Sequence, residues 1–279
     1  MPEYTNAHDL LMDAELRADG LGASRGILIV EGPDDKRIFA RHVYDPAQIL
    51  PAGGRTLLIS AHEKASEQQR TKILFVTDCD YEVRRGSLRG APDLVITTRT
   101  DMESDLVSLG LVEELVLELV PRALESREKC RSIASKIHAA AVKIALPLGR
   151  LRMAAQPLGI PLKLDELKIA RYWDPKTGSM DFAKLVDAMH SKVSDVIGFH
   201  EWRALACGTP QDDGMCHGKD LLRALTFLLK SDWRVDNITD DLLIKMMRAI
   251  LNDNHMNSWD VIRRIKAWQK MHRRYVLGA

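Results

Sequence analysis

At 279 residues the chain is long enough for one large domain or two joined ones. Hydrophobic residues make up 46% and charged residues 28%, the balance of an ordinary soluble globular protein, which excludes a disordered or fibrous chain. The formal net charge of +1 excludes bulk electrostatic attraction to nucleic acid, so any basic surface must be local.

The first third alternates strand and helix signals. Ile27, Leu28, Ile29 and Val30 form a short apolar run that reads as a buried strand. Gly32-Pro33-Asp34 breaks it, and Asp34 is placed to cap a helix running toward His42. A short apolar piece, Gln48-Ile49-Leu50, precedes the turn Pro51-Ala52-Gly53-Gly54, and a polar helix is predicted over 57–69. Ile73 to Val76 is a second buried strand, ending in Thr77-Asp78-Cys79-Asp80. Leu94 to Thr97 is a third. This alternation predicts an α/β fold with a mostly parallel sheet.

Beyond Asp101 the pattern turns helical. Residues 106–120 read as an apolar helix, 147–178 as a Pro- and Gly-rich loop, and the rest as amphipathic helices. The expected division is an α/β domain over 1–120 and a helical domain over 121–279. The helical part would supply substrate, partner or homodimer contacts. The four cysteines form no C-x-x-C pair, and with no leader-like start they predict a reduced, cytoplasmic setting. No apolar run approaches the roughly 20 residues that span a bilayer, so no membrane association is expected.

The strand ends carry the chemistry. Glu31 follows the first strand, Asp35 lies in the next helix's first turn, and Asp78 and Asp80 follow a later strand. Residues two apart on a strand point to one side, so Asp78 and Asp80 are expected to face one point. Any single carboxylate in such a place is ordinarily a cap or turn residue. Together they would repel one another unless a cation were present, and oxygen donors at strand ends suit Mg²⁺. Asp101 and Glu103 occupy the same topological place after the third strand.

Ile29-Val30-Glu31-Gly32 with Asp78-Cys79-Asp80 resembles the Toprim motif of topoisomerases, bacterial primases and OLD-family nucleases, over roughly residues 25–105. The spacing of Glu31, Gly32 and Asp35, and Met102-Glu103-Ser104-Asp105-Leu106, are similar to the OLD-like form. The resemblance implies a Rossmann-like Toprim domain with Glu31, Asp35, Asp78, Asp80 and Glu103 as ligands of Mg²⁺ or Mn²⁺, in a pair of ions. More narrowly, Gly218-Lys219-Asp220 before an apolar helix resembles the small stand-alone Toprim nucleases of PARIS-type anti-phage systems. That implies a role for Lys219 in stabilising developing charge, a separate ABC-type ATPase partner, and a nucleic-acid substrate, RNA (a tRNA among the options) or DNA. No P-loop motif occurs in this chain, which departs from full-length OLD proteins.

The expected activity is therefore metal-dependent endonuclease cleavage, with Glu31 as bridging ligand or general base and an antiviral defence role. The alternatives are a DNA-nicking repair nuclease and a non-cutting nucleic-acid-binding module. Arg84, Arg85 and Arg89 follow Asp80 and read equally as phosphate contacts or as a solvated loop. The basic C-terminal stretch from Arg263 to Arg274 reads first as the solvated face of a helix.

Overall fold

The computed structural model describes residues 4–81, 86, 88–160 and 162–278. The chain opens with helix α1 (Ala7–Leu21), capped by the Asn6 side chain on the Asp9 amide. Strand β1 (Ile27–Val30) and helix α2 (Pro33–Phe39) follow, then β2 (Ile49–Pro51) and α3 (Arg55–Lys64). The polar helix predicted over 57–69 breaks at Ala65 and Ser66, where Ser66 caps the short α4 (Glu67–Arg70). Next come β3 (Ile73–Thr77) and β4 (Leu94–Ile96).

The four strands are parallel in the order β2-β1-β3-β4. Their side chains are buried on both faces, which is why they read as continuous apolar runs rather than alternating ones. Ile27, Ile29, Ile73, Phe75, Leu94 and Ile96 face α1 and α3, whose Leu10, Leu11, Ala14, Ala18, Leu58 and Ala61 complete that side of the core.

The chain then runs through α5 (Met102–Leu106), α6 (Val112–Leu119) and the long α7 (Arg127–Ala155). The loop expected from 147 onward begins late, because α7 continues through Pro147. A proline inside a helix costs about 3 kcal/mol. Ile144, Leu148 and Leu151 beside it are fully buried, and each contributes about 1.5–3 kcal/mol, so packing wins. A two-stranded hairpin, β5 (Trp173–Asp174) and β6 (Ser179–Met180), leads to α8 (Phe182–His190) and α9 (Phe199–Gly208). Helices α10 (Gly218–Ser231) and α11 (Asp240–Ile250) follow, and α10 lies along α7.

The last elements, α12 (Asp253–Ser258) and α13 (Asp260–His272), return to the sheet. Trp259 stacks on Phe39 with ring centroids 5.7 Å apart, and α13 packs on β4. The buried Trp268 donates from its indole nitrogen to the Arg70 carbonyl at 3.2 Å. Tyr275 bonds through its amide to the Ser24 carbonyl, beside β1.

The chain therefore divides differently from the expected break near residue 120. One unit is residues 1–98 with 252–279, and the other is 99–251. The expected boundary falls inside the second unit, where α6 packs on α7, and residues 252–279 join the first because Trp259 and α13 pack on Phe39 and β4. Among the described residues, no helix is long and apolar enough to cross a membrane.

Candidate functional site

In the sheet-bearing unit, β2 lies on one side of β1 and β3 on the other. Connections that leave a strand pair in opposite directions open a crevice at the strands' carboxyl ends. The register pairs Val30 with Val76, which brings Glu31 level with Thr77 at that edge. The Thr77 hydroxyl donates to Glu31 Oε1 at 2.5 Å, and the Asp78 amide donates to the same oxygen at 2.8 Å. Glu31 is thus aimed by the neighbouring strand.

The register of β2 on β1 places Gly53 and Gly54 beside Glu31, and their amides donate to its carbonyl at 3.1 and 2.9 Å. Both glycines have positive φ, +89° and +139°, in the turn that starts α3. That turn delivers Arg55 into the crevice. Arg55 Nη1 donates to the Asp78 carbonyl at 2.7 Å and to Asp80 Oδ2 at 2.9 Å, and lies 3.7 Å from Glu31 Oε1.

Asp80 does not extend the strand alternation used to place it. Strand β3 stops at Thr77, and Asp80 sits at φ +43°, a left-handed conformation that Asp tolerates better than most side chains. From this turn its carboxylate meets the Arg55 guanidinium, which also faces Glu31. Such a backbone departure costs about 1–3 kcal/mol and concentrates at functional sites.

Asp35 takes the role expected of Asp34. Its Oδ2 accepts from the Gly32 amide at 2.8 Å, closing the first turn of α2, while Asp34 pairs with Arg37 on the surface. Arg89 is exposed, and Arg84 and Arg85 lie outside the described residues.

Among the described residues, no three His, Cys, Asp or Glu side chains converge as a metal-holding group. Glu31 and Asp80 converge instead on the Arg55 guanidinium. The donors are all oxygen, they face a partly open crevice, and the position between them already takes positive charge. Two carboxylates are the usual protein share of the ligands of Mg²⁺, which keeps several waters, and Arg55 stands in that place.

Glu103 and Lys219 belong to the other unit, and there the Gly218-Lys219-Asp220 element does open a helix, α10. Its amino terminus meets that of α5. Asp101 is buried and caps α5 through the Ser104 amide at 2.8 Å, and it also accepts from the Gly218 amide at 2.8 Å. A methyl on Gly218 would fall 2.3 Å from Glu103 Cβ, so only glycine permits this approach. His217 Nδ1 lies 3.0 Å from Asp101 Oδ2. Burial alone would lower the His217 pKa, but the Asp101 charge and hydrogen bond outweigh it and raise it. Burial also opposes ionisation of Asp101, yet the His217 charge and its amide donors hold its pKa below the usual carboxylate value. Burial and the Asp101 charge push the Glu103 pKa up. Lys219 is exposed, and Asp220 is fully buried between Arg152 and Arg223, at 2.9 and 3.4 Å.

Comparison with protein-family models and with curated proteins finds no match. Sequence reasoning passed over Arg55 and Thr77. The signal for Arg55 was its place directly after Gly53-Gly54 at a helix start, and for Thr77 its place at the end of the strand beside Glu31.

Proposed function

We propose that the chain is a divalent-cation-dependent phosphodiesterase of the Toprim kind, cutting nucleic acid. The observation that carries this reading is the strand-end cluster. Glu31 is held by the neighbouring strand, and Asp80, on a left-handed backbone, shares the Arg55 guanidinium with it, at the crevice where α/β sheets hold ligands.

Glu31 and Asp80 would hold Mg²⁺ or Mn²⁺, with Asp78 and Asp35 added on the sequence motif. A bound ion of this type acidifies water and offsets charge on a phosphoryl oxygen. The chain's own contribution is orientation. Thr77 and the Asp78 amide fix Glu31 through Oε1, which leaves Oε2 as the atom to accept a proton. Glu103 as a further ligand and Lys219 as a charge stabiliser rest on the sequence motif alone. So do the RNA substrate, the separate ATPase partner and the defence role.

A second reading, a Toprim-like module that binds nucleic acid without cutting it, is favoured by the ion pair that Arg55 makes with Asp80. One experiment separates the two. The chain is incubated with labelled tRNA, other RNA and DNA, with Mg²⁺, with Mn²⁺ or with excess chelator. Cation-dependent cleavage that falls by on the order of 10² or more in Glu31→Gln supports the nuclease. Binding without cleavage supports the second reading. Undiminished cleavage by Glu31→Gln, or in chelator, refutes the site.

A further inference from the structure

We propose that Arg55 and a divalent cation compete for the same carboxylate oxygens, so that Arg55 is the resident counter-cation of the site and sets its cation affinity. This inference rests on the cation-dependent reading above.

The geometry supports it at each step. Arg55 is the first residue of α3, where a positive charge is opposed by the helix dipole. Its guanidinium is therefore better placed on carboxylates than near its own backbone. The side chain is only 16% exposed, and one nitrogen serves both Asp80 Oδ2 and the Asp78 carbonyl while facing Glu31 Oε1. Of the carboxylate oxygens that would ligate a cation, Asp80 Oδ2 is thus held by the guanidinium and Glu31 Oε1 lies 3.7 Å from it.

Arg55 also has somewhere to go. It lines a cleft of about 460 Å³ whose other walls include Thr5, Asn6, Gly54, Ser60 and Lys64. Among the described residues, no carboxylate side chain lines that cleft. A guanidinium released from Asp80 would enter a polar space beside Lys64, suited to an anionic phosphate. The same side chain would then neutralise the carboxylates when no divalent ion binds, and face the substrate backbone when one does.

The test is a calorimetric titration of Mn²⁺ into the full chain, with wild type, Arg55→Gln, Arg55→Lys and Glu31→Gln compared in chelator-treated buffer. Arg55→Gln should bind Mn²⁺ about tenfold more tightly, since the competitor is gone, and Arg55→Lys should fall between. Thermal melting adds a readout independent of catalysis: Arg55→Gln should melt lower than wild type without Mn²⁺ and be raised more by saturating Mn²⁺. Unchanged or weaker Mn²⁺ affinity in folded Arg55→Gln, with binding still lost in Glu31→Gln, overturns the role of Arg55 alone. Failure of every protein to bind Mn²⁺, or equal binding by wild type and Glu31→Gln, overturns the cation site and the role of Arg55 with it.

Discussion

Replacing Gly218 by alanine is the sharpest test of the packing in the helical unit. The added methyl would lie 2.3 Å from Glu103 Cβ, 2.4 Å from Asp101 Oδ1 and 2.8 Å from the Ser104 amide nitrogen. Carbon atoms in contact sit about 3.5–4.0 Å apart, so α10 must retreat by more than 1 Å or α5 must distort. Overpacking of this kind costs about 1–3 kcal/mol. Retreat also breaks the bond from the Gly218 amide to the Asp101 carboxylate, worth about 1.5–3 kcal/mol for a charged acceptor. The sum is about 2.5–6 kcal/mol, which in a unit of this size lowers Tm by roughly 5–24 °C. Calorimetric melting of the full chain reads it, with Gly208→Ala as control, because a methyl there meets nothing within 4 Å. A Gly218→Ala protein melting within 2 °C of wild type would refute the described contact between the two helix starts.

Two further outcomes follow from the same unit. Asp220→Asn should destabilise it by about 3–5 kcal/mol, since Arg152 and Arg223 would lose their buried counter-charge; a loss below about 1 kcal/mol in chemical denaturation would show that the network is dispensable. The raised pKa of His217 stabilises the folded state fully below about pH 6.5, and that stability is lost as pH rises through the higher folded value. Melting temperatures measured from pH 6 to pH 9 should therefore fall more steeply in wild type than in His217→Asn, and identical slopes would count against the Asp101–His217 pair.

The sheet was legible because its strands are covered on both faces: Ile27 to Val30 and Ile73 to Val76 needed only to be continuous apolar runs rich in Ile and Val to be read. Glu31 and Asp78 were legible for a related reason, being the first charges after those runs. Helix α1 left a weaker trace, since much of its buried face is alanine. The return of α13 was not legible, because an amphipathic helix does not say which surface covers it. Arg55 was missed because its place depends on the register of β2 on β1, a contact between distant residues. Asp35, expected as a ligand, has its Oδ2 on the Gly32 amide and closes the first turn of α2.

The return of the C-terminal helices has a consequence for how the protein is made. Roughly 170 residues separate the last strand of the sheet from Trp268, which at 5–20 residues per second is a delay of about 10–35 s on the ribosome. Through that interval the surface that α13 will cover on β4 has no partner. The carboxylate cluster sits on this same sheet, so the crevice gains this support only once α13 has been made. A chain stopped before Trp259 would carry Glu31, Asp78 and Asp80 in its sequence while lacking the ring that stacks on Phe39 and the helix that packs on β4.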